Sequence, residues 1–254
     1  MPFLGAIGFI GVGLALGLLG GGGSILAVPV LIHLFHMSAG TAVAMSLPVV
    51  GSTALAGAYL RWRRGELRVR TALTFAMFSM PVAFIVARLG AGLQDRPRIL
   101  LLAATMVTAA TFMWMRSLKP TSVAPPSRAA DASLGLARVL PTAVAAGTLT
   151  GLVGVGGGFL IVPALTGVLG VPIGVATSTA LAVIALNTPA AGLGFIGKVS
   201  LDWPLTLAVT GLAFVGMAIG TWLAPRVPAR TLARIFAAFL LAIGSVMVWQ
   251  ELRS

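Results

Sequence analysis

Residues 17–29 read Gly17-Leu-Leu-Gly-Gly-Gly-Gly-Ser-Ile-Leu-Ala-Val-Pro29, four consecutive glycines between apolar stretches that are each short for a membrane span. Residues 151–163 repeat the pattern as Gly151-Leu-Val-Gly-Val-Gly-Gly-Gly-Phe-Leu-Ile-Val-Pro163. Each glycine inside a helix costs on the order of 1 kcal/mol relative to alanine, so both clusters should open a helix running through them. Lipid cannot satisfy the freed amides and carbonyls. Irregular backbone at membrane depth therefore survives only where protein covers it or where it lines a wet cavity. Paired breaks at matching places in two halves point to a binding site near the bilayer midplane.

The match extends outward from the glycines. A gap-free offset of 134 lays Gly17, Gly20, Gly22, Gly23, Leu26, Val28, Pro29 and Leu31 over Gly151, Gly154, Gly156, Gly157, Leu160, Val162, Pro163 and Leu165. It continues through Gly40 over Gly174, Ala42 over Ala176 and Leu47 over Leu181. A shared glycine cluster, spacing and proline indicate an internal duplication. Apolar runs fall near 3–19, 25–36, 42–60, 71–91 and 99–115, then 139–153, 159–170, 173–194, 204–224 and 232–250. Between the two groups, residues 116–138 hold Pro120, Pro125, Pro126 and several basic and hydroxyl residues, which suits an exposed connector. The chain thus divides into a first transmembrane repeat at 1–115, a polar connector at 116–138 and a second repeat at 139–254.

Composition agrees with membrane residence. Of 254 residues, 58% are hydrophobic and 9% charged, where a soluble domain carries roughly a quarter charged residues. Mean hydropathy is +1.06. The net charge of +12 would suit nucleic-acid binding if it formed one polar face, but the basic residues lie between apolar runs, so no nucleic-acid partner is expected. The absence of cysteine excludes disulfides and thiolate chemistry. The first basic residue is Arg61, and no isolated cleavage pattern is seen, so the N-terminal run is expected to be mature structure. Arg61, Arg63, Arg64, Arg68 and Arg70 form one short basic loop, which should face the cytoplasm. The corresponding stretch near 195–203 holds only Lys198, while Arg226, Arg230 and Arg234 cluster one span later. That shift favours halves of opposite orientation. Inverted halves require an odd number of crossings each, which holds if 3–36 is a hairpin returning to its own side; a single crossing there would make the repeats parallel.

These readings define an all-α polytopic membrane protein of two duplicated halves with glycine-broken helices or hairpins. Helices resuming at Ile25 and Phe159 would offer amide groups and positive dipole ends, a combination that attracts anions. None of the five carboxylates, Glu66, Asp95, Asp131, Asp202 and Glu251, falls in the middle of a span, which also suits a small anionic substrate. The candidate binding residues are Gly21, Gly22, Gly23 and Ser24 in the first break and Gly156, Gly157 and Gly158 in the second. Ser46, Ser178, Thr179 and Asn187, shortly after the repeated motif, add hydrogen-bond donors. Buried hydroxyls also bond back to their own helix, and that reading weighs equally for any single one. His33 and His36, three apart, would share one side of a helix near the interface; without a third ligand they do not make a metal site. No catalytic group, metal or cofactor is expected. The isolated pairs Gly13/Gly17, Gly147/Gly151 and Gly216/Gly220 read as close helix contacts. Trp62, Trp114, Trp203, Trp222 and Trp249 lie near segment ends, as interface anchors do.

With these motifs the chain resembles the sulfite exporter TauE/SafE family, whose halves each carry a glycine-rich break followed by an apolar run with proline. The family's next segment is similar to Ala42-Val-Ala-Met-Ser-Leu47 and Ala176-Thr-Ser-Thr-Ala-Leu181. Ser24, Val155 and Met45 depart from the usual pattern. The resemblance covers nearly the whole chain. It implies a multi-pass transporter of the bacterial cytoplasmic membrane for sulfite, organosulfonates or related anions; the paired breaks add the expectation that one anion is bound between them and exposed to each side in turn. A passive anion channel is the alternative. An intramembrane serine hydrolase built on Ser24 is disfavoured, because His33 and His36 lie roughly 15 Å along the same helix. Pairing into a homodimer is compatible with the sequence.

Overall fold

The computed structural model describes residues 2–118, 136–154, 158–167, 173–227 and 229–253. Helix α1 (Pro2–Leu19) runs into a 3-10 segment (Gly20–Leu26) and then α2 (Ala27–Phe35). Three long helices follow: α3 (Ala39–Arg63), α4 (Val69–Gly90) and α5 (Asp95–Leu118). The second group comprises α6 (Leu136–Val153), α7 (Gly158–Gly167), α8 (Ile173–Phe195), α9 (Trp203–Leu223) and α10 (Ala229–Arg253). Among the described residues there is no strand. Each apolar run of the sequence is a helix or a large part of one. The connector is narrower than its composition indicated, since α5 continues to Leu118 and α6 starts at Leu136; the remainder, 119–135, lies outside the described residues.

Local chemistry sets the ends. Ser38 caps α3 by accepting from the Thr41 amide at 3.3 Å, and Asp202 caps α9 by accepting from the Leu205 amide at 3.0 Å. The α2 helix stops at Phe35 because His36 takes the left-handed conformation, φ 54°, and its amide returns to the Leu31 carbonyl. His36 is thus the cap that ends α2 and is not part of the helix on which the spacing argument placed it. The basic loop is also shorter than expected: Arg61 and Arg63 belong to the last turn of α3, and Arg70 to the start of α4.

The segment 2–35 is a hairpin. Gly5 lies under the Phe35 ring, Gly8 against Val30 and Leu34, and Gly23 against the backbone of Ala15 and Leu16, so α2 returns along α1. The Phe9 and Phe35 rings meet edge to face at 6.0 Å between centroids.

The two groups of helices interlock, and their geometry recurs at the spacing of 134 residues. Helix α4 begins at Val69 and α9 at Trp203; α5 begins at Asp95 and α10 at Ala229. Helix α1 packs on α9 and α6 on α4 through glycines with no side chain in the way. Gly13 meets the Ala213 carbonyl and Gly17 the backbone of Met217 and Thr221, while Gly216 and Gly220 meet Ile10 and Leu14. Gly147 and Gly151 meet the carbonyls of Ser79 and Ala83 in the corresponding way. In lipid, where apolar side chains gain little by meeting one another, such backbone approach is what joins helices. Helices α3 and α8 cross antiparallel at the centre, with Gly51 against Thr188 and Gly57 against Leu181. The pair α5 and α10 flanks this core.

Polarity is arranged inside out. Large apolar residues face outward, Leu89 at 76% and Leu207 at 68% exposure, and all five tryptophans are exposed. Ser24, Ser46, Ser79, Ser178, Thr179 and Asn187 are fully buried. Four helices, Ala39–Arg63, Val69–Gly90, Gly174–Phe195 and Trp203–Leu223, are long and apolar enough to cross a bilayer, and the shorter α1 is about 27 Å long at standard rise. The protein is an all-α polytopic membrane protein.

Candidate substrate site at the paired glycine breaks

Both breaks turn at a left-handed glycine, Gly20 at φ 70° and Gly154 at φ 68°. A Cβ at Gly20 would lie against Thr177 of α8, and one at Gly154 against Val43 and Ser46 of α3, so each break leans on the long helix of the other half. Past the first turn the glycines do not open the chain as their number suggested. They tighten it into a 3-10 segment, and α-helix resumes at Ala27 instead of Ile25. A ladder of i to i+3 bonds keeps amides paired where no water would replace them. On the other side α7 starts at Gly158, one residue before the expected Phe159.

The two breaks meet. The backbones of Gly21 and Gly158 touch, so that a methyl carbon on either would collide with the Cα of the other. The side chain of Ile184 closes over the same spot, 2.9 Å from where a Gly21 Cβ would be. Gly22 lies in the 3-10 segment, whereas Gly23 faces α1 and serves the hairpin. Gly156 and Gly157 lie outside the described residues.

The hydroxyl candidates are occupied by backbone carbonyls. Ser24 Oγ donates to Gly21 at 2.8 Å, Ser178 Oγ to Gly174 at 2.8 Å and Thr179 Oγ1 to Val175 at 2.7 Å. Ser46 Oγ is shared between Val43 at 2.7 Å and Gly154 at 3.1 Å, which ties α3 to the second break. Asn187 differs. Its Oδ1 accepts from Ser79 Oγ at 2.7 Å, and its Nδ2, fully buried, has no partner. Asn187 lies three residues beyond Ile184 on α8, about one helical turn from the junction of the glycines. A buried donor left unmade costs about 1–3 kcal/mol, so this amide is a specific reason to look for a guest.

Two contributors escaped the sequence reading. Ser79 is one. The other is Arg61, only 7% exposed, whose Nη2 donates to the Gly17 carbonyl at 3.0 Å and whose Nη1 donates to Thr177 Oγ1 at 3.3 Å. Glu66 Oε2 approaches Nη1 at 3.8 Å, and Nε is buried without a partner. This guanidinium covers the orphan carbonyl end of α1 and sets a positive charge beside the first break. A signal existed: Arg61 continues the buried stripe of Ala54, Gly57 and Ala58 at helical spacing.

A helical membrane protein in which two helix breaks touch has the architecture of a transporter. Residues 4–247 match the family model described as "Sulfite exporter TauE/SafE". The chain belongs to that family. It is 30% identical over 248 residues to a "Probable membrane transporter protein" of Xylella fastidiosa strain 9a5c, covering 94% of this chain and 92% of the relative. It is 27% identical over 208 residues to the "Probable membrane transporter protein YdhB" of Bacillus subtilis strain 168, covering 82% and 84%. No solved structure matches it significantly. The protein is a multi-pass membrane transporter.

Proposed function

We propose that the protein carries small oxyanions, of the sulfite or organosulfonate class, across the bacterial cytoplasmic membrane by alternating access at the junction of the two breaks. The halves are read as a duplication of opposite orientation. A hairpin contributes an even number of crossings, and α3, α4 and α5 add three, so each half crosses an odd number of times. The Gly21–Gly158 contact is then the closed junction between the two sides, and parting it admits the anion to Asn187 and the local amides. The observation that carries this reading is the unpaired, fully buried Asn187 amide one turn from that contact. Among the described residues every carboxylate stands at a helix end or in a loop, so no fixed negative charge opposes an anion there. Glycine backbones in direct contact also close the straight path that a passive channel would need.

Uptake of radiolabelled sulfite into vesicles containing the purified protein, across a panel of sulfur oxyanions, sulfonates, chloride and cations under an imposed pH gradient, tests it. Saturable sulfite or sulfonate uptake with countertransport is expected. Unsaturable flux, or equal flux of chloride, would refute it.

A further inference from the structure

A second polar site lies at the end of the molecule opposite the Arg61–Arg70 loop. A pocket of about 320 Å³, within the usual size of small-ligand sites, is lined by Ser38, Thr41, Asp95, Arg98, Lys198 and Ser200 among others. It gathers the start of α3, the α4–α5 turn and the α8–α9 loop, and so draws on both halves. Arg98 is 2% exposed. Its Nη2 donates to the Gly90 carbonyl, its Nη1 fills the space left by the missing side chain of Gly40, and its Nε is buried without a partner. Asp95 Oδ1 accepts from the Gly40 amide at 3.2 Å, so a carboxylate of the chain itself sits on the positive end of α3, beside Arg98. Lys198 is exposed on the pocket wall.

We propose that this pocket is a second anion site, where a small soluble oxyanion docks before entering the junction, and that Asp95 is a built-in competitor for it. Arg98 and Lys198 supply two positive charges against one carboxylate. An incoming oxyanion takes over the Gly40 amide and the free guanidinium edge as Asp95 swings out. The role as an entry site rests on the anion-transport reading; the binding itself does not.

Radiolabelled sulfite is used twice: in equilibrium binding to the full-length protein in detergent, and in initial uptake rates into phosphatidylcholine vesicles with the anion on the pocket side. Asp95→Asn, which keeps the acceptor oxygen but loses the charge, should lower the half-saturating concentration about threefold, and Lys198→Gln should raise it about threefold, with maximal rate and thermal midpoint unchanged. Arg98→Gln should raise it about tenfold, with partial recovery in Arg98→Lys. Because Arg98 also holds Gly90, the two exposed positions decide the matter if Arg98→Gln fails to fold. Saturable wild-type uptake with unchanged half-saturation in Asp95→Asn and Lys198→Gln would overturn the pocket and leave the transport reading standing. Shifted binding without any uptake would uphold the pocket and sink the transport reading, and neither binding nor uptake would sink both. Native mass spectrometry showing a phospholipid held through Arg98 that sulfite cannot displace would also overturn it.

Discussion

Taking a guanidinium out of water costs several kcal/mol, and Arg61 recovers this through the Gly17 carbonyl, the Thr177 hydroxyl and the nearby Glu66 carboxylate. Its first duty is to close the end of α1; the charge it leaves beside the break is a by-product that an anion can use. Asn187 has no such structural completion, because only its oxygen is engaged. Replacing Asn187 with Leu keeps the bulk and removes the donor. The half-saturating sulfite concentration should rise about tenfold, with little change in thermal midpoint. Uptake kinetics alongside a melting curve would check this, and a large loss of stability with unchanged affinity would assign Asn187 to packing. The hydroxyls illustrate why residue-level reading stopped short. A buried serine in a membrane helix has a carbonyl of its own helix in reach, and Ser24, Ser178 and Thr179 take it. An asparagine amide is harder to satisfy that way, and the Asn187 Nδ2 keeps no partner. Ser79 carried no signal of its own, since its partner lies 108 residues away.

At the scale of elements, the apolar runs located all ten helices among the described residues, because a membrane helix must be apolar for most of its length. Whether the first glycine cluster makes a hairpin or a kinked single span was not legible. Four glycines permit both, and the choice is made by contacts such as Gly5 with Phe35 and Gly8 with Val30, which bring together residues far apart along the segment. The hairpin decides the parity of crossings. Arg64 and Lys198 occupy corresponding loops at the spacing of 134, and the chain has no cysteine to interfere with labelling. In Arg64→Cys and Lys198→Cys variants, an impermeant maleimide should label the first from the cytoplasmic side only and the second from the opposite side only. Labelling of both from one side would make the halves parallel.

For the molecule as a whole, polar groups that water would hold at the surface of a soluble protein are turned inward, and their natural neighbour is the seam between the halves. Gly17 against α9 and Gly151 against α4 place backbone on backbone along that seam, while Gly51 receives the Thr188 side chain of α8. The repeat expected from the sequence rests on the glycine clusters and on Pro29 and Pro163, which share the spacing of 134. The roles of Arg61 and Arg98 were not readable, because burial and partners set them. The central claim is that an oxyanion binds where Gly21 and Gly158 meet. Crystals grown with selenite, a heavier analogue of sulfite, and measured at the selenium absorption edge test it most directly. The expected result is an anomalous peak within hydrogen-bonding reach of the Asn187 amide and the amides flanking the glycine contact. Selenite that is transported in vesicles yet leaves that junction empty in the crystal, with the two segments still closed on each other, would contradict it.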